Sequence, residues 1–385
     1  MNSDNRSPFI FGKLAGGYDF ANRENETAHL IQNFTSLINT ILISPRRWGK
    51  SSLVVKAARL AQKKDKRMRF CFIDMFNVRT EEDFLKIFSE ELIKNTSSKW
   101  EDWVRSTKEF FKRVIPKVNF APDQSSEFSL GFEWDELRRR PDEVLNLAER
   151  IATARKIKLM VCIDEFQNIG YFLESVAFQK QLRANWQRHK NVSYCLYGSK
   201  RNMMMNVFAS PDMPFYKFGD ILFLEKIKEA DWIKFIVKRF NDTGKRISEK
   251  IAKEIVDTCQ CHPYYVQQLS QMTWLRSGKI CSMKDYLEAR ITLIQQLDYL
   301  FTTITENLAN TQVNFLEAVI DKVKQFSSKD ILHQYQLGTS ANVLRIKDAL
   351  IGKELLDSKG GEFYLLDPIY HIWLNNVYFR REKQL

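Results

Sequence analysis

The sequence predicts an α/β chain: a parallel sheet built around a phosphate loop, then a helical lid domain, then a winged helix. Three observations carry this. An apolar strand, Ile41-Leu42-Ile43, runs directly into Ser44-Pro45-Arg46-Arg47-Trp48-Gly49-Lys50-Ser51-Ser52 and an apolar helix, close to the pattern G-x-x-x-x-G-K-[ST]. Further short apolar runs alternate with helical periodicity as far as Leu224, the pattern of a parallel sheet covered on both faces. After Thr311, short helices around a glycine turn precede two strands joined through Gly360-Gly361, which is helix-turn-helix followed by a hairpin wing.

Taken in order, Ala28 to Asn39 is expected as a helix, entered from Phe20 to Glu26. Ile41 to Ile43 is the first strand and Ser51 to Gln62 the helix after the loop. Arg69 to Met75 is a second buried strand, and Phe84, Leu85, Ile87, Phe88 and Leu92 mark a helix by their spacing. Between Lys99 and Trp134 the alternation breaks. There Phe128, Leu130, Phe132 and Trp134 alternate with Ser129, Gly131 and Glu133, a half-buried strand with Val118-Asn119-Phe120 as its hairpin partner. This hairpin either folds onto the sheet edge or protrudes as a contact for a partner or nucleic acid. Leu159 to Glu165, Val192 to Tyr197 and Asp220 to Leu224 supply three more strands. Lys226 to about Tyr299 is helical, with Trp232, Phe235, Ile236 and Phe240 on one stripe and Ile251, Ile255 and Val256 on another. Val313 to Val323, Ser328 to Tyr335 and Ser340 to Leu350 read as helices, and Leu355 to Ser358 with Glu362 to Leu366 as a hairpin. The expected domains are a core over 1–225 with an insertion at about 99–140, a lid over 226–305 and a winged helix over 306–385.

The chemistry follows from two places. The loop from Ser44 to Ser52 is a Walker A candidate, with Ser44 where the first glycine usually stands. Backbone N–H groups of such a loop, and the helix dipole behind it, favour an anion. Lys50 suits β- and γ-phosphate oxygens, and the Ser51 hydroxyl suits a Mg²⁺ shell. The second place is Lys158-Leu159-Met160-Val161-Cys162-Ile163-Asp164-Glu165, an apolar strand ending in two carboxylates. That is the Walker B pattern: Asp164 for the metal, directly or through a bound water, and Glu165 for activating water beside the γ-phosphate. No Asn-Lys-x-Asp follows, so the expected ligand is ATP or ADP with Mg²⁺.

The chain as a whole resembles the archaeal-type ATPases, placed in the STAND branch of AAA+-related P-loop ATPases. The resemblance runs from about Phe9 to Leu374. It is carried by Phe20-x-x-Arg23-Glu24, the loop from Ser44 to Ser51, Ile163-Asp164-Glu165-Phe166-Gln167, Tyr197-Gly198-Ser199 and Pro214-Phe215-Tyr216. His262-Pro263-Tyr264-Tyr265-Val266-Gln267 and Asp367-Pro368-Ile369-Tyr370-x-x-Trp373 complete it. It implies an ATPase core, a helical lid and a winged helix. It implies that Phe20 to Glu24 flanks the adenine, with Arg23 fixing that segment or making an ion pair at a helix start. It implies that Pro263 lies near the adenine and that Ser199 occupies a polar sensor position by the γ-phosphate. Cys261 stands where related switch ATPases carry glycine, so a left-handed turn there is expected to form less easily. Arg201 is the foremost arginine-finger candidate.

Composition sets the outer bounds. The 385 residues carry 59 Lys+Arg against 47 Asp+Glu, a net +12, which leans weakly towards acidic partners. The six cysteines are scattered, and three lie in expected strands, as buried reduced thiols of a cytoplasmic protein would. The N-terminal residues lack the apolar run of a signal peptide, and no apolar stretch is long enough for a membrane span. Cys259 and Cys261 have no second ligand pair at zinc spacing, and no G-x-S-x-G elbow occurs. Three functions are therefore expected: a regulatory ATPase switch read by a protein partner, a DNA-binding ATPase, or a non-hydrolysing nucleotide-bound adaptor. In the second, the winged helix grips double-stranded DNA through Arg345, Lys347, Lys353 and Lys359. ATP drives assembly in the second, and a nucleotide-dependent homo-oligomer belongs among the expected partners.

Overall fold

Apolar runs of four to seven residues build a parallel sheet. The computed structural model describes residues 7–17, 20–96, 119–122, 128–131 and 141–381. Its strands are β1 (Thr40–Ile43), β2 (Met68–Asp74), β3 (Asn119–Pro122), β4 (Phe128–Gly131), β5 (Lys158–Asp164), β6 (Val192–Gly198) and β7 (Asp220–Phe223). β2, β5, β6, β1 and β7 lie side by side in that order, all parallel. β1 and β6 are buried along their whole length, as strands covered on both faces must be. The chain leaves β1 for the far edge at β2, returns through β5 and β6, and finishes at β7 on the other side of β1. The C-terminal ends of β5, β6 and β1 are therefore neighbours, and ligands of open α/β sheets bind at such a reversal. β3 and β4 pair antiparallel, Phe120 opposite Leu130, and β4 runs beside the helix at Glu81–Thr96. Val118, Phe132, Trp134 and the cluster Arg138-Arg139-Arg140 lie outside the described residues.

The helices of this sheet are α1 (Glu24–Thr35), α2 (Lys50–Lys64), α3 (Glu81–Thr96), α4 (Pro141–Leu145), α5 (Leu147–Arg155), α6 (Ser175–Trp186) and α7 (Arg201–Ala209). α1 begins and ends four residues earlier than its apolar spacing suggested. Glu24 and Glu26 favour the positive end of the dipole, and Leu37, at φ 54°, turns left-handed and stops the helix. An aromatic cluster packs one side of the sheet. Trp186 stacks on Tyr194 with centroids 4.0 Å apart, and Phe84, Phe88, Phe166 and Phe215 surround the indole. Each such fully buried ring contributes about 1.5–3 kcal/mol relative to exposure.

Residues of Arg23–Glu225 form one compact unit, and those of Lys226–Leu385, with the stretch before Arg23, form the other. The second unit contains α8 (Glu229–Asp242), α9 (Glu249–Thr258), α10 (Pro263–Arg276), α11 (Met283–Glu306), α12 (Asn310–Ile320), α13 (Lys329–Gln334) and α14 (Ser340–Gly352). The hairpin β8 (Leu356–Lys359) and β9 (Glu362–Leu365) and the helix α15 (Pro368–Trp373) follow. α12 starts three residues before its expected position, where Gln312 Oε1 accepts the Ala309 N–H at 3.2 Å, and stops at Lys322, φ 57°. The helical part and the winged helix share one continuous apolar core, from Phe9 and Trp232 through Leu293 to Leu350 and Tyr370. Polar ties cross the same boundary. Tyr265 Oη donates to Asp367 Oδ2 at 2.5 Å, and Trp373 Nε1 donates to Asp298 Oδ1 at 2.6 Å. Tyr264 and Tyr265 belong to this packing, Tyr264 edge-on to Phe11 and Tyr265 buried. Among the described residues no helix is long and apolar enough to cross a membrane.

One turn corrects the sequence reading. Cys261 adopts φ 59° and Gln260 φ 46°, so the left-handed turn before α10 forms without glycine. The surrounding backbone enforces it: the Cys261 N–H bonds Val256 O at 3.1 Å and the His262 N–H bonds Cys259 O at 2.8 Å. A left-handed non-glycine residue costs about 1–2 kcal/mol. Cys261→Gly is expected to recover roughly 1 kcal/mol, less glycine's extra chain entropy, seen as a raised denaturation midpoint; an unchanged or lowered midpoint would show that the turn carries no such strain.

A second test concerns His189. Its ring bridges Tyr194 Oη at 2.9 Å and Asn146 Oδ1 at 3.1 Å. Burial pulls its pKa down to about 4, against the opposing charge of Glu149. The neutral ring therefore contributes stability that is complete above the ordinary value of about 6.5 and is lost as pH falls towards 4. The stability gap between wild type and His189→Gln is expected to narrow through that window in denaturant melts; a gap independent of pH would contradict it.

Candidate nucleotide site

The loop after β1 takes its position from the sheet. Ile43 pairs in register with Gly198, and the Ser44 N–H reaches Gly198 O at 3.4 Å, so Ser44 and Ser199 leave neighbouring strands at one level. Ser44 is buried and its Oγ donates to Pro45 O at 3.1 Å. Pro45 and Trp48 are half-buried, Arg46 and Arg47 are exposed, and Ser52 is buried under the loop. Arg47 at φ 61° and Gly49 at φ 87° are both left-handed, which curls the loop tightly over the start of α2. No side chain caps α2 at Gly49, and its first turn carries no acid. A helix of fifteen residues that begins this way directs its dipole and N–H groups at whatever the loop encloses.

Five side chains, from the start of α2 and the ends of β5 and β6, converge beside that loop. Lys50 Nζ lies 2.9 Å from Glu165 Oε1 and 3.4 Å from Asp164 Oδ1. Ser51 Oγ donates to Asp164 Oδ2 at 2.7 Å. Ser199 Oγ donates to Glu165 Oε2 at 3.0 Å. The Lys50, Asp164 and Glu165 side chains are 10%, 18% and 14% exposed, so these charges are largely removed from water. Burial raises the Asp164 pKa, and the Glu165 charge adds to that, while Lys50 and Ser51 oppose it without prevailing. Burial also pushes Glu165 up, but Lys50, Gln167 and Ser199 together hold it below its ordinary value. The two adjacent carboxylates are thereby driven apart in character. The hydroxyl of Ser51 and the carboxylate of Asp164 are hard oxygen donors on one spot, a set that suits Mg²⁺.

Gln167, absent from the expected site residues, belongs to this group. Its Nε2 donates to Glu165 Oε2. Asp74, at the end of β2, is level with Asp164 and places a further carboxylate at this edge, where it accepts the Phe76 N–H at 2.8 Å. The sequence signal for Asp74 was its place at the end of the apolar run from Arg69.

Arg23 is buried at the start of α1, in ion contact with Glu26 at 2.9 Å and bonded to the Glu225 carbonyl, which is the helix-start pairing anticipated as one of its two roles. Arg201 is the first residue of α7, its guanidinium 5.6 Å from the centre of the Phe223 ring. Pro263 is the first residue of α10, in the second unit, where its fixed φ suits a helix start.

The comparisons with known proteins agree with this architecture. Residues 299–376 match a family described as a probable winged helix domain. A Walker-type ATPase of Pyrococcus abyssi is similar in structure, with TM-score 0.61 and 16% identity over 93% of this chain and 96% of that one. The ORC2 protein of Aeropyrum pernix, solved as ADPNP–ADP complexes, is similar at TM-score 0.57 and 13% identity over 98% of this chain and 97% of that one. No curated protein matches the chain in sequence. A five-stranded parallel sheet with its loop after β1, continued by helices and a matched winged helix, gives this chain the AAA+-like P-loop fold of those Walker-type and ORC proteins.

Proposed function

We propose that the protein binds and hydrolyses ATP and works as a switch, its nucleotide state controlling the lid and winged helix and so the engagement of a protein partner. The observation that carries the reading is the convergence of Lys50, Ser51, Asp164, Glu165 and Ser199 on one spot beside an uncapped helix N-terminus. The loop Ser44–Ser52 holds the phosphates through backbone N–H groups. Lys50 gives up Glu165 for phosphate oxygens. Ser51 and Asp164 would hold Mg²⁺, which would supply neutralisation of phosphate charge. Glu165, released from Lys50, orients the attacking water and takes its proton, and Ser199 keeps that carboxylate in place. The products are ADP and phosphate. Arg23 and Pro263 are assigned to the adenine side by the family resemblance, and Arg201 remains the finger candidate. The fold shared with a solved ADPNP–ADP complex supports a nucleotide ligand.

The second unit supports a switch in a specific way. Its helical part and winged helix share one apolar core, so they respond to nucleotide as one body. A two-state element of this kind needs a differential of only a few kcal/mol, which γ-phosphate contacts can supply. Lys50→Ala is expected to weaken binding of a fluorescent ATP analogue by about tenfold or more, from the loss of a charge-assisted contact. Glu165→Gln is expected to keep that binding and lose phosphate release. Wild type and Glu165→Gln releasing phosphate at one equal, slow rate would refute hydrolysis and leave the nucleotide as a structural ligand.

A second reading, duplex DNA held by the winged helix, is favoured by the family match over 299–376. The charge on α14 limits it. Arg345 is exposed, but Lys347 lies over the rings of Phe363 and Phe326, at 4.7 and 5.4 Å. Fewer phosphate contacts mean a shallow salt dependence. Gel-shift titrations from low to physiological salt are expected to give weak complexes with a log–log slope of roughly −1 to −3; no shift at low salt removes DNA from the function.

A further inference from the structure

The Glu165 carboxylate is held by more than the residues that the phosphate chemistry asks for. Its Oε1 faces Lys50 at 2.9 Å, whereas Oε2 accepts from both Ser199 and Gln167. Gln167 is almost fully buried, two residues along the 3₁₀ helix Phe166–Tyr171 that begins as the chain leaves Glu165. That turn is rigidly seated. Glu165 is left-handed at φ 52°, Phe166 is buried among Trp186, Phe208 and Phe215, and Asn168 Nδ2 donates to Met75 O at 2.9 Å.

The last residue of β6 makes room for the Gln167 amide. Gly198 is not among the left-handed glycines, so backbone freedom does not account for it. A Cβ built there would overlap Gln167 Oε1 and stand 2.8 Å from Met204 Sδ. The absent side chain is the space in which the amide sits. One strand end thus does two things: Gly198 admits the amide that binds Oε2, and Ser199, the next residue, binds the same oxygen.

We propose that Gln167 is a positioning residue for hydrolysis: seated in the space left by Gly198, it fixes Glu165 through Oε2 and so leaves Oε1 as the oxygen exchanged between Lys50 and the attacking water. This rests on the reading of the site as an ATP-hydrolysing one. When phosphate takes Lys50, an unheld glutamate would lose its last strong partner and could swing away. With Oε2 clamped from two sides, the carboxylate keeps its place and only Oε1 changes partner. In this role Gln167 holds the Glu165 carboxylate and not the substrate, so its removal is expected to act on turnover and not on binding.

The test uses the full chain with Gln167→Leu, Gly198→Ala and the double variant. Gln167→Leu removes the donor; Gly198→Ala displaces the amide against the flexible ends of Gln167 and Met204, at small cost to the fold. Each single variant is expected to lower kcat for ATP by about tenfold to a hundredfold, the scale of a misplaced catalytic group. The affinity for a fluorescent ATP analogue and the KM are expected to stay within about twofold, since the contact orients the base without holding the substrate. Because both changes break one contact, the double variant should be no slower than the slower single one. A merely structural role predicts effects that multiply, or a loss of affinity in step with kcat, and either result overturns the proposal. Wild-type kcat in Gln167→Leu also overturns it. Gln167→Met replaces Gln167→Leu if the latter does not fold. Glu165→Gln separates the two levels: if it is inactive while Gln167→Leu is normal, only the positioning role fails, and if it turns over like wild type, the hydrolytic reading fails with it.

Discussion

The contact on which the site depends is the ammonium of Lys50 between two adjacent carboxylates. Asp164 and Glu165 are consecutive, largely withdrawn from water, and would repel each other unaided. Lys50 lies within 3.4 Å of both and places a full positive charge between them. The Ser51 hydroxyl then serves Asp164, and Ser199 with Gln167 serves Glu165. Each carboxylate is thus partnered, as buried charges must be. The same arrangement makes the site responsive. In the proposed reaction a phosphate group competes for Lys50 with the carboxylates it now neutralises, so that anion binding and the release of Glu165 are one event.

Two of the left-handed turns in the backbone serve this arrangement. Arg47 and Glu165 both occupy left-handed conformations that cost a non-glycine residue about 1–2 kcal/mol. At Arg47 the turn wraps the loop over α2. At Glu165 it reverses the chain out of β5 so that Gln167, two residues later, can reach back to the Glu165 carboxylate. The packing of Phe166 in the aromatic cluster supplies the stabilisation that holds the second turn.

Much of this was legible in the sequence because the chemistry is local. A strand, a loop and a lysine-serine pair are contiguous, and the carboxylates end an apolar run, so residue order alone exposes Lys50, Ser51, Asp164 and Glu165. Strand positions were legible for the same reason, since apolar runs mark them within a residue or two. What escaped depends on contacts between distant segments. Gln167 reads as one polar residue in a turn until Gly198, on another strand, is seen to leave space for it. The register between Ile43 and Gly198, which sets Ser44 beside Ser199, has no signature in either segment. α1 was displaced because acidic residues at its start and a left-handed Leu37 at its end outweighed the apolar spacing. At Cys261 residue preference was misleading: the backbone bonds of the turn before α10 impose a positive φ on a side chain that resists it.

The core shared by the helical part and the winged helix constrains how a switch can operate. Separate domains would each need their own differential contact with the nucleotide state. Here Leu293, Leu350 and Tyr370 belong to one apolar cluster, and Tyr265–Asp367 and Trp373–Asp298 tie the same elements by hydrogen bonds. Pulling them apart would expose several large side chains, each at about 1.5–3 kcal/mol, more than a change in phosphate contacts supplies. In the proposed switch, nucleotide would therefore act on the unit as a whole.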